Sequence, residues 1–158
     1  MAAKTNAMRL LDQKSIQYEL LTYDNKDGKI DGVSVAAKIG RPAETVYKTL
    51  VATSGGKEIY VFIIPVAAEL DLKKASQAAG EKKVEMLPVK DIQKFTGYVR
   101  GGCSPLGMKK SYRTFIDKSA GELTEMIVSA GKIGLQIALA PVDLVQAAEA
   151  ELAELVKN

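Results

Sequence analysis

A long glycine-rich stretch interrupts the apolar pattern of this sequence at residues 97–110, which read Gly-Tyr-Val-Arg-Gly-Gly-Cys-Ser-Pro-Leu-Gly-Met-Lys-Lys. Glycines let a backbone adopt positive φ and approach a ligand closely, so Gly101, Gly102 and Gly107 are suited to direct N–H groups toward an anionic or carbonyl oxygen. Pro105 would stiffen the stretch. A plain turn between two strands is the alternative interpretation. The length favours a functional loop, because simple hairpin connections run about two to five residues.

The composition fits one globular domain over residues 1–158. Of the 158 residues, 47% are hydrophobic and 26% are charged, which is enough apolar surface for a substantial core. No apolar run reaches the roughly 18 residues that a membrane span requires, and the first nine residues lack the apolar centre of a signal peptide. The single cysteine, Cys103, excludes an internal disulfide and a cysteine-rich zinc site. We therefore expect a cytoplasmic protein with no membrane partner.

The charges argue against a protein that binds nucleic acid through electrostatics alone, because the formal net charge is only +3. Clustered cations nevertheless suggest a local basic rim for a phosphate backbone, with a solvated face as the commoner alternative. These cations are Lys73, Lys74, Lys82, Lys83, Lys109, Lys110 and Arg113.

The chain contains no histidine. If it is an enzyme, a lysine, a carboxylate, a tyrosine, water or the substrate must supply the acid–base chemistry.

Hydrophobic periodicity and capping residues predict helices and strands in irregular alternation. Helices are expected at 5–14, 34–40, 71–79, 88–95 and 141–156. Strands are expected at 17–23, 45–53, 58–64, 82–86, 113–117, 125–129 and 135–139, with glycine turns at 54–57 and 130–134. Because helices do not alternate regularly with strands, we expect a mixed α/β fold with a curled, barrel-like sheet and helices packed on its outside.

Residues 24–32 are rich in aspartate, asparagine and glycine and predict a surface loop. Their spacing loosely resembles a calcium-binding loop. The acidic residue that such a loop needs at its far end is absent, so the sequence argues against a calcium site. We expect no metal and no other cofactor.

One lysine lies among apolar residues in the predicted strand at 45–53. Alternation places Val46, Lys48, Leu50 and Ala52 on the same face of that strand. Burying an ammonium group without a partner is costly, so an interior Lys48 would be a candidate functional residue. A lysine on an edge strand that extends to solvent is the alternative.

Several separate motifs resemble the YbaK/EbsC family, and they occur in the family's order over nearly the whole chain. They are residues 46–50 (Val-Tyr-Lys-Thr-Leu), 65–67 (Pro-Val-Ala) with 70–74 (Leu-Asp-Leu-Lys-Lys), 82–86 (Lys-Lys-Val-Glu-Met), 97–98 (Gly-Tyr) with 101–107 (Gly-Gly-Cys-Ser-Pro-Leu-Gly), and Ser129 with 131–132 (Gly-Lys) and 134–135 (Gly-Leu). The resemblance implies a free-standing relative of the prolyl-tRNA synthetase editing domain, a mixed α/β barrel that removes the wrong amino acid from mischarged tRNA. In the YbaK branch that amino acid is cysteine on the proline tRNA.

The resemblance also implies roles for individual residues. The family's essential lysine matches Lys48, and its early-strand tyrosine matches Tyr23. One position departs from the pattern, because Gln136 stands where members of this branch carry aspartate. An amide can still hydrogen-bond, but it cannot act as a base or pair with an ammonium group. The other implied substrate-binding residues are Gly101, Gly102, Cys103, Ser104 and Pro105 of the first glycine loop, and Ser129 and Gly131 beside the second.

The chemistry that fits these residues is substrate-assisted. The thiol of a cysteinyl ester attacks its own carbonyl, releases the tRNA 3′ end and leaves a thiolactone that water hydrolyses. Lys48 would hold the terminal phosphate or ribose, and N–H groups near Gly101 and Gly102 would orient the carbonyl or the α-amino group. Cys103 is an alternative nucleophile. It lacks an evident base, so we interpret it as a residue that lines the pocket.

Three functions remain open from the sequence. They are a deacylase of cysteinyl-tRNA(Pro) that extends to cysteinyl-tRNA(Cys), a deacylase of alanyl-tRNA(Pro) with the same fold, and a module that binds tRNA or prolyl-tRNA synthetase without turnover. The expected partners are the 3′ aminoacyl end of mischarged tRNA and prolyl-tRNA synthetase. A pocket distinguishes side chains that differ by one small group by only about 1–3 kcal/mol, a limit that selection through the substrate's own thiol avoids.

Overall fold

The computed structural model describes residues 4–55 and 58–158 of the chain. Within these ranges the helices are α1 (Asn6–Gln13), α2 (Gly32–Ile39), α3 (Leu72–Ala79), α4 (Val89–Thr96) and α5 (Pro141–Ala148). The strands are β1 (Glu19–Thr22), β2 (Tyr47–Ser54), β3 (Glu58–Pro65), β4 (Glu85–Met86), β5 (Arg113–Asp117), β6 (Met126–Ser129), β7 (Leu135–Leu139) and β8 (Ala150–Ala153). Short 3₁₀ helices lie at Ala43–Thr45 and Lys118–Glu122. None of the described helices is long and apolar enough to cross a bilayer.

The strands form two open sheets. One has three antiparallel strands in the order β1-β7-β6, and the other has five strands in the order β4-β2-β3-β5-β8. In the larger sheet β2 is antiparallel to β3 and β4, whereas β5 is parallel to β3 and β8. An isolated parallel bridge between Val46 and Ile127 links β6 to the start of β2. The predicted mixed α/β fold is confirmed, but the barrel-like closure is wrong, because neither strand order returns to its first strand.

The core lies between the two sheets and continues on the far face of the larger one. Side chains from α1, β3, β6, β7 and α5 meet between the sheets, among them Leu11, Ile63 and Ile137. On the opposite face, Phe62 and Phe115 stack with ring centroids 5.5 Å apart and contact the cluster beneath α3. Because β3 is covered on both faces, its sequence is a continuous apolar run rather than an alternating one.

The predicted helix boundaries depend on local capping, which the structure confirms for α1 and α3. The side-chain oxygens of Thr5 and Asp71 accept hydrogen bonds from the first-turn N–H groups, and Gly80 ends α3 in the left-handed conformation. Helix α2 begins two residues earlier than predicted, because Asp31 rather than Ser34 is its N-cap. The predicted turn at 54–57 includes Gly56 and Lys57, which lie outside the described residues.

The C-terminal segment departs from the single helix predicted at 141–156. Helix α5 ends at Ala148 because Glu149 adopts a left-handed conformation, with φ 52° and ψ 47°, and donates its N–H to the carbonyls of Val145 and Gln146. The chain then enters β8 and pairs in parallel with β5. Residues 150–156, whose apolar spacing predicted a helix, are therefore extended. In this segment Leu155 is fully buried, whereas Leu152 is 46% exposed.

This difference predicts unequal effects of two leucine truncations. Leu155→Ala should lower the free energy of unfolding by about 2–4 kcal/mol, because it opens a cavity in the cluster beneath α3. Leu152→Ala, the matched control, should stay within about 1 kcal/mol because its side chain is largely solvated. Urea unfolding measures both values. A helix continuing to residue 156 would bury both leucines, so equal large losses would contradict the observed strand.

Candidate active site

A cavity of about 390 Å³ opens where the two sheets meet. Part of its wall is formed by residues 46–50. Over residues 47–50 this edge of β2 is covered by no described strand, because β4 pairs only with Ala52 and Thr53 and the bridge from Ile127 reaches only Val46. Ser129 of β6 and Gln136 of β7 also line the cavity, and they lie opposite each other in the antiparallel register of those strands. The cavity is therefore built from regular strands of both sheets, whose positions are fixed by the core.

Loops and a helix end complete the lining. The N-terminal end of α2 contributes one side, and the glycine-rich loop at 97–110 contributes another. The residues concerned are Ile30, Asp31, Gly32, Val33, Val35 and Val66 together with Arg100, Gly101 and Cys103. The aliphatic members give the cavity an apolar surface, and the polar members are available to orient a ligand.

The cavity brings together five of the residues predicted from the sequence to form the site. They are Lys48, Gly101, Cys103, Ser129 and Gln136. Lys48 is half-buried, and no described residue forms an ion pair or a hydrogen bond with its ammonium group. A cation that is partly withdrawn from water and has no protein partner is available to an anionic or hydroxyl-bearing ligand.

Two other predicted residues support the first glycine loop rather than the cavity surface. Ser104 is fully buried, and its Oγ accepts a hydrogen bond from the Leu106 N–H at 3.3 Å. Pro105 lines a separate cavity with Leu106 and Gly107. We infer that Ser104 and Pro105 act on a ligand only through the shape of the loop.

Two further predicted residues, Gly131 and Tyr23, lie outside the cavity lining. Gly131 donates its N–H to the Oγ of Ser129 at 3.1 Å and thereby orients that hydroxyl. Tyr23 is buried, and its hydroxyl has no hydrogen-bond partner within the described part of the chain. Neither residue contributes to the cavity lining.

The two glycine loops pack directly against each other at Gly102. A Cβ atom at this position would lie 2.9 Å from the Ile133 nitrogen and 3.1 Å from the Lys132 carbonyl carbon, so only glycine fits. Its N–H donates to the Val99 carbonyl at 3.0 Å. The prediction that this N–H faces a ligand is therefore wrong, because it closes a turn. Gly101, with φ +87° and a place in the lining, is the glycine that remains available to a ligand.

Buried polar atoms without protein partners mark where a ligand can form hydrogen bonds. Gln136 is 7% exposed, and no residue in the described ranges bonds to its side-chain amide. Thr49 Oγ1 is likewise buried and unpaired among the described residues. Sequence reasoning missed Thr49 because strand alternation directs it away from the face of Lys48. Only the uncovered edge of β2 brings both residues to one cavity.

Two charged lining residues were also missed. Asp31 caps α2, and hydrogen bonds from the Ser34 hydroxyl and N–H lower the pKa of its carboxyl group below its usual range. Such a carboxylate is a weak base. Arg100 is exposed at the rim. The Asp-x-x-Ser capping pattern and the position next to Gly101 are the sequence signals that could have found them. With Lys48, the lining carries two cations and one carboxylate.

The lysine clusters do not form a rim around this cavity. None of the seven clustered cations predicted from the sequence contributes to its lining. Lys74 donates to the Val156 carbonyl at 2.8 Å, and Lys109 to the Lys94 carbonyl at 3.4 Å. Arg113 donates to the Ala79 carbonyl at 3.1 Å. These cations hold the chain together, so the positive charge at the cavity comes from other residues.

Comparison with known proteins assigns this chain to a family. The sequence profile of the aminoacyl-tRNA editing domain matches residues 31–147, which include the cavity residues from Asp31 to Gln136. The chain belongs to the aminoacyl-tRNA editing domain family. Within that family it is 42% identical over 152 residues to EbsC of Enterococcus faecalis, and the match covers 96% of this chain and 93% of EbsC. EbsC is named a candidate Cys-tRNA(Pro)/Cys-tRNA(Cys) deacylase. This places it in the YbaK/EbsC branch.

More distant similarity extends to a proline–tRNA ligase and to a solved structure. The chain is 24% identical over 136 residues to the proline–tRNA ligase of Burkholderia multivorans, a match that covers 84% of this chain but only 24% of the ligase. A solved structure described as a candidate trans-editing enzyme for prolyl tRNA synthetase superposes with a TM-score of 0.84 at 19% identity, covering 99% of this chain and 100% of that one. At this identity the superposition establishes the shared fold.

The editing-domain cavity holds one thiol, Cys103, whose surroundings make it unreactive. It is buried with Val51, Leu87 and Tyr98, and this burial raises the pKa of the Cys103 thiol to about 11. A thiol attacks as its thiolate. At neutral pH Cys103 is therefore protonated, and a protonated thiol is a poor nucleophile.

The raised pKa predicts slow alkylation of the folded protein. At neutral pH iodoacetamide should modify Cys103 about a hundredfold more slowly than the same thiol in the unfolded chain, because the thiolate fraction falls tenfold per pKa unit between 9.0 and about 11. The rate should rise with pH until about 11. Because the folded pKa is the higher one, burial of the thiol stabilises the fold fully below pH 9, and this contribution is lost as the pH rises through the folded pKa. A rate that levels off near pH 8 would contradict the buried thiol.

Proposed function

We propose that this protein edits mischarged tRNA as an aminoacyl-tRNA deacylase and that residues 1–158 act as one editing domain. In this proposal the preferred substrate is cysteinyl-tRNA(Pro), and cysteinyl-tRNA(Cys) is a second substrate. Membership of the editing family and the name of the E. faecalis relative support the substrate class. The observation that carries the proposal is a cavity that joins an unpartnered lysine to neutral hydrogen-bonding groups and offers no strong base.

The cavity suits the aminoacylated end of a tRNA in size and charge. Its volume of about 390 Å³ lies within the range of small-ligand pockets, roughly 300–1,000 Å³. Lys48 and Arg100 outweigh the single carboxylate of Asp31, so the field attracts a phosphate-bearing ligand. In our proposal the ammonium of Lys48 bonds the terminal phosphate or ribose, and Arg100 at the rim meets the preceding backbone.

The absence of a strong base is the reason for a substrate-assisted mechanism. Asp31 is a weak base, Cys103 is protonated, and the chain has no histidine. A cysteinyl ester carries its own nucleophile. Its sulfur forms a bond to the ester carbonyl carbon, the bond from that carbon to the ribose oxygen breaks, and the thiol proton passes through water to the departing oxygen. The resulting thiolactone is then hydrolysed by water, which restores free cysteine.

Neutral hydrogen-bonding groups then hold the ester in the geometry for attack. Gln136 and Thr49 have unsatisfied polar atoms at the cavity, and Ser129 Oγ, which accepts from the Gly131 N–H, keeps its own proton to donate. Gly101 completes the set on the loop side. Correct placement of two reacting groups contributes up to about 7–11 kcal/mol to the lowering of a barrier, so positioning replaces a protein nucleophile here. Gln136 orients the α-amino group or the carbonyl without changing its charge.

Recognition of the tRNA body is assigned to a partner. The net charge is +3, and several of the clustered cations are engaged within the chain. Few phosphates can therefore be neutralised beyond the 3′ end, and affinity for tRNA alone should be low. We propose that prolyl-tRNA synthetase supplies the selection for the proline tRNA, in keeping with the ligase relatives that contain this domain.

Lys48→Met should abolish deacylation of cysteinyl-tRNA(Pro) while changing the free energy of unfolding by no more than about 1 kcal/mol, or increasing it. The side chain keeps its aliphatic bulk, and the half-buried ammonium that is lost has no described protein partner to leave unpaired. Lys82→Met, which removes an exposed charge away from the cavity, is the matched control. Release of radiolabelled cysteine and thermal unfolding are the measurements. Full activity of Lys48→Met would remove this lysine from the site.

The chemistry of the substrate provides an independent test. Replacing cysteinyl-tRNA(Pro) by seryl-tRNA(Pro) should lower kcat roughly a hundredfold or more with a smaller change in KM, because the intramolecular thiol nucleophile is lost. Cys103→Ala should retain most activity toward the cysteinyl ester. Seryl-tRNA cleaved as fast as cysteinyl-tRNA, or an acyl-enzyme trapped on Cys103, would contradict the substrate-assisted step. Faster release of alanine than of cysteine would assign the protein to alanyl-tRNA, and binding without turnover would make it a module.

A further inference from the structure

A lysine from α2 occupies the centre of the aspartate- and glycine-rich loop at residues 24–30. The Nζ of Lys38 donates to the Asp24 carbonyl at 2.7 Å, to Asp27 Oδ1 at 2.7 Å and to the Lys29 carbonyl at 2.9 Å. An ammonium group has three N–H donors, so this geometry uses all of them. Its Nζ also lies 5.9 Å from the centroid of the Tyr23 ring. The chain therefore places its own cation where the sequence spacing suggested a calcium loop.

The loop has no other polar attachment to the rest of the protein within the described residues. Its remaining hydrogen bonds are local, such as Lys26 N–H to Asp24 Oδ1 at 2.9 Å and Lys29 N–H to Asp27 Oδ1 at 3.0 Å. Lys38 is partly shielded, with 21% of its side chain exposed, whereas Asp27 is 48% exposed. An exposed ion pair alone contributes little to stability, so the two carbonyl contacts are what distinguish this arrangement.

The same loop ends in the wall of the candidate active site. Its last residue, Ile30, and the next residue, Asp31, both line the cavity. The Cδ1 of Ile30 would lie 2.9 Å from a Cβ added to Gly101, so the end of the loop packs tightly against the glycine that remains available to a ligand. A shift of residues 24–30 would therefore move Ile30 away from Gly101 and widen the cavity on that side.

We propose that Lys38 is a positioning residue for deacylation: its ammonium acts as a built-in cation that orders residues 24–30 and thereby holds the Ile30 wall against Gly101. The effect on activity rests on the proposed deacylase function, whereas the effect on loop order does not. Lys38 does not touch the substrate. It acts through the loop. The Asp24, Asp27 and Lys29 oxygens that accept from its Nζ, here called the cradle, bind a free alkylammonium ion when the Lys38 side chain is removed.

The experiment compares wild type, Lys38→Ala and Lys26→Ala by hydrogen exchange of amides 24–30 and by deacylation of cysteinyl-tRNA(Pro). Lys26→Ala removes the same charge from the loop but leaves the cradle intact, since no described contact involves its side chain. Lys38→Ala should speed exchange of the loop amides and lower kcat/KM by about tenfold, because small misplacements of reacting groups are costly. Lys26→Ala should match wild type in both measurements.

Chemical rescue makes the test specific. Propylammonium supplies the atoms that Lys38→Ala removes, and it should restore both loop protection and kcat/KM, whereas tetramethylammonium has the same charge without N–H donors and should restore neither. Lys38→Met, which keeps an aliphatic stem beside Tyr23, is the second variant if Lys38→Ala fails to fold. It should show the same two losses.

Three outcomes would overturn the proposal. Unchanged exchange of residues 24–30 in Lys38→Ala would show that the loop does not depend on this cation. Faster exchange with unchanged kcat/KM would limit Lys38 to a structural role. Equal rescue by propylammonium and tetramethylammonium would show that the positive charge alone, and not the N–H hydrogen bonds of Lys38, orders the loop. A wild-type protein that deacylates no aminoacyl-tRNA would refute the proposed function, and the exchange and rescue of exchange would still decide whether Lys38 orders the loop.

Discussion

The candidate active site depends on one stretch of unpaired strand edge. The larger sheet covers β2 with β4 only at Ala52 and Thr53, and the smaller sheet reaches it only through the bridge from Ile127 to Val46. Between these points residues 47–50 border a cavity instead of another strand. An uncovered edge normally invites pairing with another chain. Here the edge borders a cavity that the glycine loop and the N-terminal end of α2 also line, and this arrangement puts Lys48 and Thr49, which point to opposite faces of β2, into one site.

The electrostatics of the site follow from what each group can bond to. Asp31 is held as a carboxylate by the Ser34 hydroxyl and N–H, and Cys103 is held as a thiol by its apolar surroundings. Both pKa shifts move these groups away from the range in which a general base or a nucleophile works at neutral pH. Lys48 keeps a charge that no described residue neutralises. Such a site binds and orients an ester well and depends on its substrate for the nucleophile.

Local physical chemistry explains which elements could be predicted. Capping by Thr5 and Asp71 involves residues within one turn of each other, so it can be read from the sequence. The helix predicted through Leu155 was wrong because an apolar spacing of three to four residues also fits a strand that buries one leucine and exposes another. Parallel pairing with β5 decided the outcome, and β5 lies more than thirty residues earlier in the chain. The direction of the Gly102 N–H could not be predicted either, because it is set by a turn in which this N–H donates to the Val99 carbonyl.

By itself, the sequence determined the mixed α/β class and the family, and it named Lys48, Ser129 and Gln136 among the polar residues of the candidate site, because these depend on residue types and on motifs in a fixed order. The tertiary structure alone decided which of those residues share a cavity. It brought Lys48, Gln136 and Gly101 together with the unpredicted Thr49, Asp31 and Arg100, and it left Tyr23 and Pro105 outside the lining. It also put the ammonium of Lys38 into a loop that the sequence marked only as lacking a calcium ligand. Such contacts join residues from separate elements, so only the packing of the two sheets and the helices sets their distances.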